Sequence, residues 1–236
     1  MIPKIIHYCW FGENPLPTNL KKYVDGWRNK LPDYEIKEWN EQNFDVNISL
    51  FSKQAYENKK WAFVSDYVRL FVLYKYGGVY FDTDMEIIKD ISPLTHHQML
   101  LGYEASGCLQ AGVIGAEKES KYTKILLDYY DSHAFINEDN TFDIEAIGKK
   151  IEKILKEHFY FAEQKEPFLL DENILVCPSR YFCPDLIMEV NHLNNYTIHH
   201  GEGSWLSASK KLKQKIFLLI ACNKILSKVY KYIKRR

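Results

Sequence analysis

The stretch from Trp61 to Tyr74 reads W-A-F-V-S-D-Y-V-R-L-F-V-L-Y, with Val64, Val68 and Phe71 at helical spacing and Leu70, Leu73 and Tyr74 widening the apolar surface almost all round. Such a pattern predicts a largely buried helix. Other helical periodicities fall near 17–30, 51–58, 119–133 and 143–158, and the central helix is expected to run over 61–76. Short β-type runs alternate with them at Ile2 to Phe11, Gly78 to Thr83, Met99 to Tyr103 and Leu109 to Ala116. This alternation predicts an α/β domain with a mixed, mostly parallel sheet and helices on both faces. The chain has 236 residues, 46% of them hydrophobic, which suffices for one sizeable core. Neither an internal repeat nor a Pro- or Ser-rich linker divides it; Asn137 to Thr141 is a polar turn.

Two features of the central region carry chemistry. Asp66 and Arg69 are the only charged residues between Trp61 and Tyr74. At i and i+3 they share a helix face, and charges on a buried helix are expected to be paired or to line a polar cavity. Gly77 and Gly78 then stop the helix, the first as a left-handed cap, and turn the chain into Val79-Tyr80-Phe81-Asp82-Thr83-Asp84. On a continuous strand Asp82 and Asp84 would leave the same face, roughly 6.5 Å apart. Hard carboxylates in that arrangement suit Mg²⁺ or Mn²⁺ held together with substrate phosphates, the geometry of a diphosphate clamp. A D-x-D triplet alone is equally a strand end running into a polar turn.

The ordered set I-P-K-I-I-H-Y-C-W-F-G, W-A-F-V-S-D-Y-V-R-L-F-V-L-Y-K-Y-G-G-V-Y-F-D-T-D and L-Q-A-G-V-I-G-A resembles the bacterial glycosyltransferases of family 32. These are related to the yeast initiating mannosyltransferase, the α1,4-galactosyltransferases and, more remotely, the clostridial glucosylating toxins. The resemblance covers roughly residues 1 to 205. It implies a Rossmann-like nucleotide-sugar domain of the GT-A type over 1–206, ligands lying beyond the carboxyl ends of the strands where Trp10 and the D-T-D pair fall. It also implies that Trp10 stacks on uracil, that Asp66 and Arg69 hold the donor sugar and its phosphate region, and that Asp82 contacts donor ribose and sugar. Asp84 would be the direct metal ligand, with Asp82 beside it, and Gln110 would lie near the anomeric carbon. Many relatives carry Asn at that position, and Gln110 reads equally as a satisfied buried amide.

H-H-G-E-G-S-W, residues 199 to 205, resembles the family's C-terminal loop that closes over the donor. Counting back from Trp205 selects His200 as the remaining ligand, with His199 second, and gives Ser204 and Trp205 contacts to the departing β-phosphate. The implied reaction moves a hexosyl group, with retained configuration, from a UDP-hexose or UDP-N-acetylhexosamine to a saccharide acceptor in bacterial capsular or O-antigen synthesis. Because the leaving group is a nucleoside diphosphate, no protein acid is needed, unlike glycoside hydrolysis. A metal-dependent nucleotide-sugar hydrolase or nucleotidyltransferase, and a noncatalytic sugar-nucleotide binder, are the alternatives. No G-x-x-x-x-G-K-S phosphate loop supports the former.

Five cysteines, at 9, 108, 177, 183 and 222, form no C-x-x-C pair, which points to reduced thiols and away from zinc. No signal-peptide pattern opens the chain, and no apolar run approaches twenty residues. Charge is distributed unevenly. After Glu202 the chain carries ten Lys and Arg and no acid, so at zero formal net charge the body carries −10. Among those lysines lie Ile216, Phe217, Leu218, Leu219, Ile220, Ile225, Leu226, Val229, Tyr230 and Ile233. Residues 207–236 thus read as a basic amphipathic helix on an anionic surface, where each cation adds about 1 kcal/mol. That predicts a peripheral enzyme on the cytoplasmic face of the cell membrane, acting on a lipid-linked acceptor. Nucleic acid is the weaker alternative and is not expected as a partner, since the tail lacks interleaved Gly, Arg and aromatic stacking motifs and the rest of the chain is acidic. Deleting residues 210–236 is expected to abolish co-sedimentation with anionic vesicles while leaving donor hydrolysis unchanged; persistent pelleting, or lost hydrolysis, contradicts this division of labour.

Overall fold

A computed structural model describes residues 1–184 and 194–202. The basic tail, Ser204 and Trp205 lie outside the described residues. Strand β1 (Ile5–Cys9) leads to α1 (Thr18–Lys30), β2 (Glu35–Trp39), α2 (Leu50–Glu57), α3 (Trp61–Tyr76), β3 (Gly78–Phe81) and β4 (Met85–Ile87). Then follow β5 (Met99–Tyr103), β6 (Leu109–Ala116), α4 (Lys121–Ser132), α5 (Ile147–Lys156), β7 (Phe168–Leu170), β8 (Ile174–Cys177), α6 (Ser179–Phe182) and β9 (Thr197–His199). The main sheet has seven strands in the order β2-β1-β3-β6-β5-β8-β7, while β4 and β9 form a separate antiparallel pair. Five of the seven strands point one way; β6 and β7 oppose them. The expected mixed, mostly parallel sheet is therefore present.

Side-chain alternation on the strands separates two cores. Val79 and Phe81 of β3 pack with Ile6, Tyr8 and with Val24 and Trp27 of α1, whereas Tyr80 faces α3. In α1, Leu20, Tyr23, Val24 and Trp27 recur at i, i+3, i+4 and i+7, so one stripe is buried and the Lys-rich remainder faces water. Helix α3 buries eight residues against the other face, joined by α2, α4 and α5. Helices thus cover both faces, as the pattern predicted. Among the described residues no helix is long and apolar enough to cross a membrane.

The α3 to β3 corner has no slack. Gly77 and Gly78 have φ of +67° and +111°; a Cβ on either would lie 2.6 Å from backbone, at Lys118 N and Ile5 O respectively. Both positions need glycine. Buried His7 locks this corner: its Nδ1 accepts from Trp39 Nε1 at 3.0 Å, so the Nε2 proton donates to Gly77 O at 2.8 Å. One neutral imidazole satisfies β2, β1 and the end of α3 together.

Burial lowers the His7 pKa from 6.5 to about 4, the Gly77 carbonyl opposing only part of that effect. Between those values the unfolded chain binds the extra proton, so this stabilisation is present above about pH 6.5 and is lost as pH falls toward 4. From pH 7.5 to 5 the loss attributable to His7 is about 2 kcal/mol. Urea unfolding of the native chain and His7→Gln at both pH values is expected to show that difference in pH dependence; parallel curves contradict it.

Candidate active site

Arg69 is the buried centre of the site, 5% exposed on α3. A guanidinium there must be neutralised and its donors satisfied. Nη2 meets Asp66 Oδ1 at 2.9 Å, one helical turn earlier. Nη1 donates to Ala111 O of β6 at 2.7 Å and lies 3.3 Å from Asp82 Oδ1. Beneath it the Tyr80 ring lies 4.4 Å from the guanidinium carbon, and the Tyr80 hydroxyl donates to Asp82 Oδ1 at 3.0 Å. Tyr80 and Asp82, two residues apart, share the face of β3 turned to α3. Burial lifts the Asp66 carboxyl to about 6 against the pull of Arg69, the Asp82 charge adding to the rise. Burial opposes the charge on Arg69, yet Asp82, Tyr80 and Asp66 together raise its pKa. The charged pair on the apolar helix is therefore an ion pair that also reaches the D-T-D segment. Sequence reasoning did not single out Tyr80, although its i−2 relation to Asp82 marks it.

The two aspartates do not leave one continuous strand. β3 ends at Phe81, and the chain turns through Thr83 and Asp84, the Met85 N–H donating to Asp82 O at 3.0 Å. This corrects the strand-face argument: a tight turn brings the carboxylates together. The turn feeds β4, which pairs with β9 so that Met85 stands opposite His199. That register puts His199 Nε2 3.3 Å from Asp84 Oδ1. The other Asp84 oxygen accepts the Glu202 N–H at 2.8 Å, and the Asp84 carbonyl accepts His200 N–H at 3.1 Å. Burial by itself raises Asp84, but His199 and the Glu202 amide outweigh it and hold the carboxyl below its ordinary value. Burial depresses the His199 ring less than Asp84 and Cys183 raise it.

Ligand atoms of Asp82, Asp84 and His199 all lie within 4.8 Å of one another. His200, the first choice from the sequence, faces elsewhere: its ring stacks on Tyr23 with centroids 4.5 Å apart and its Nε2 lies 2.7 Å from Glu86 Oε2. Successive residues of an extended segment point to opposite sides, and register with β4 decides which of the two histidines meets the carboxylates.

Trp10 extends the β1 to β2 ladder by one hydrogen bond, N–H to Trp39 O at 2.9 Å, and is half-buried beyond the carboxyl end of β1. Its indole donates to Asn14 O at 2.7 Å. Gln110 is fully engaged with its own strand: Nε2 donates to Val113 O and Oε1 accepts Val113 N–H, both at 2.8 Å. It is a satisfied buried amide here. Between Gln110 and the D-T-D turn lies Gly112, where a Cβ would sit 3.2 Å from Asp82 Oδ2 and 3.3 Å from Gln110 Oε1. The bare backbone keeps that space open beside Asp82. A groove of about 460 Å³ bordered by Ile48, Leu50, Phe71 and Tyr74 shares no residue with this site.

Residues 17–101 match the family described as "Glycosyltransferase sugar-binding region containing DXD motif". Inositol phosphoceramide mannosyltransferase 3 of Schizosaccharomyces pombe is 29% identical over 128 residues, 50% of this chain and 34% of that protein. Mannosyl phosphorylinositol ceramide synthase SUR1 of Saccharomyces cerevisiae is 28% identical over 143 residues, 58% and 37% of the two chains. The chain thus spans about a third of the length of these curated relatives. Among solved structures, the PaToxG glycosyltransferase is similar with a TM-score of 0.48 and 17% identity, covering 66% of this chain and 74% of its own. The galactosyltransferase LgtC, in complex with donor and acceptor sugar analogs, gives 0.47 and 14%, covering 92% and 95%.

Removing only the cation from the Arg69 network strands two carboxylates. Arg69→Met is expected to lose about 3–5 kcal/mol of stability, and adding Asp66→Asn to that variant is expected to recover part of the loss. Urea unfolding of both checks this; additive destabilisation contradicts it.

Proposed function

We propose, from the match of residues 17–101 to the glycosyltransferase sugar-binding region that contains the DXD motif, that this chain transfers a hexosyl group from a nucleotide sugar, a UDP-sugar in the first instance, to a saccharide acceptor. The observation that carries this reading is the convergence of Asp82, Asp84 and His199 beside an Arg69-anchored wall. Two hard carboxylates and one imidazole with ligand atoms within 4.8 Å of one another suit Mn²⁺ or Mg²⁺, and the site has room next to Asp82 because residue 112 has no side chain. When bound, such an ion supplies Lewis-acid stabilisation of the departing diphosphate.

The protein's own residues provide position. Arg69 and Tyr80 hold Oδ1 of Asp82, leaving Oδ2 on the Gly112 side for ion or donor. Trp10 offers a ring beyond β1 for the base, a mode aromatic rings serve well. The short distance from the acidic cluster to the fixed cation of Arg69 supports a role for Asp66 and Arg69 at the donor's sugar and phosphate end. No paired carboxylic acids in the style of a glycosidase are needed, and we infer front-face attack with the leaving phosphate taking the acceptor proton, which retains configuration. Ser204 and Trp205 would complete closure over the phosphate. The basic segment 207–236 favours an acceptor at an anionic membrane surface, and the curated relatives are named for mannosyl transfer to inositol phosphoceramide, itself a lipid. A lipid-linked saccharide is the acceptor class both considerations favour.

Incubation with a panel of UDP-sugars, and with mannosyl donors as comparators, is expected to release nucleoside diphosphate from one donor in Mn²⁺. Chelator and Asp84→Ala are each expected to reduce release by at least two orders of magnitude, as loss of a principal charge-stabilising group does. Release indifferent to chelator, or silence across the panel without Mn²⁺-dependent UDP binding, overturns the proposal.

A further inference from the structure

His199 reaches the acidic cluster through one ring nitrogen and an unassigned thiol through the other. Cys183 Sγ lies 3.8 Å from His199 Nδ1, while Nε2 faces Asp84. Cys183 is buried, immediately after α6. Its distance from the ring is fixed by a zipper between two short segments. Asn195 Nδ2 donates to Arg180 O at 2.6 Å, Tyr196 N–H to Tyr181 O at 2.8 Å, and the Thr197 hydroxyl to Phe182 O at 2.8 Å. The Tyr181 and Tyr196 rings stack at 5.4 Å outside this seam. Residues 195, 196 and 197 thus pair in order with 180, 181 and 182, and the next contact in the series is His199 on Cys183.

We propose that Cys183 is a positioning residue for His199, its sulfur setting which ring nitrogen is presented to Asp82 and Asp84. For Nε2 to offer a lone pair to a cation, the ring proton must sit on Nδ1, and a proton there in a half-buried ring needs an acceptor. The sulfur of Cys183 takes that role. The thiol sulfur is a weak acceptor within reach of Nδ1, so a proton on that nitrogen is not left unmatched in the buried seam. A methyl group at this position offers no acceptor. Outer partners of ligating histidines commonly govern affinity by tenfold or more.

The inference rests on the reading of Asp82, Asp84 and His199 as the cation site, and its test separates the two. Mn²⁺ titration of the full chain, followed by the electron paramagnetic resonance of free Mn²⁺, compares the native protein with Cys183→Ala, Cys183→Ser and His199→Ala, with unfolding midpoints measured in parallel. Cys183→Ala is expected to raise the Mn²⁺ Kd about tenfold. Cys183→Ser, which keeps a hydroxyl donor and acceptor, is expected to restore most of the affinity even where its unfolding midpoint falls as far as that of the alanine variant. Native affinity in Cys183→Ala, with binding lost in His199→Ala, overturns the positioning role and leaves the cation site standing. Equal weakening in the alanine and serine variants also overturns it, marking a packing role. Native affinity in His199→Ala overturns the site reading and the inference together.

Discussion

A guanidinium held inside an apolar layer constrains everything around it. Arg69 is compensated by Asp66 from its own helix, Asp82 just past the end of β3, the Ala111 carbonyl from β6 and the face of Tyr80. None of these groups can move independently without stranding a charge in a medium that penalises it by several kcal/mol. The position of Asp82 is therefore inherited from the core. The glycine corner at Gly77 and Gly78, closed by His7, removes the remaining freedom between α3 and β3. Site geometry and fold stability share one set of contacts, and a cation site gains from this because its carboxylates are placed before any ligand arrives.

The second half of the site arrives from far along the chain. β9 joins β4 across more than a hundred residues, and both carboxylate oxygens of Asp84 engage the 199–202 segment, one at the His199 ring and one at the Glu202 amide. The turn after β3 is thus a meeting point between a rigid element and a segment secured by a few backbone and side-chain bonds. Any ligand that draws on Asp84 draws on the same oxygens that hold Glu202. Occupancy of the site and the placement of residues 199–202 are in this way physically coupled.

Much of this architecture was legible in the sequence. Helix α3 and strands β5 and β6 fall where their patterns placed them, because long apolar runs with clear periods leave little choice. β2 was missed: E-I-K-E-W is an edge strand with mostly polar alternation, and its strand character comes from pairing with β1. β7 and β8 fall in a stretch to which no pattern was assigned, and the three-residue strands β4 and β9 are below the length at which a period can be seen. In the candidate site, Asp66 and Arg69 stood out as charges on an apolar helix and Asp82 and Asp84 as a D-x-D pair, and the structure brings the four close together. The D-T-D geometry was misread as strand because a two-residue turn leaves no pattern distinct from alternation. His199 and His200 are identical in type and adjacent, and only the long-range register with Met85 separates them. Tyr80 and Cys183 look like ordinary core residues until their neighbours are known.

We propose that Asp82, Asp84 and His199 together hold the divalent ion on which donor cleavage depends. The most direct test is anomalous diffraction from crystals of this chain soaked with Mn²⁺ and UDP. An anomalous peak bounded by those three side chains, with Arg69 still seated on Asp82, is expected. A peak held by His200 and Glu86, or UDP bound with no ion at the D-T-D turn, would contradict it.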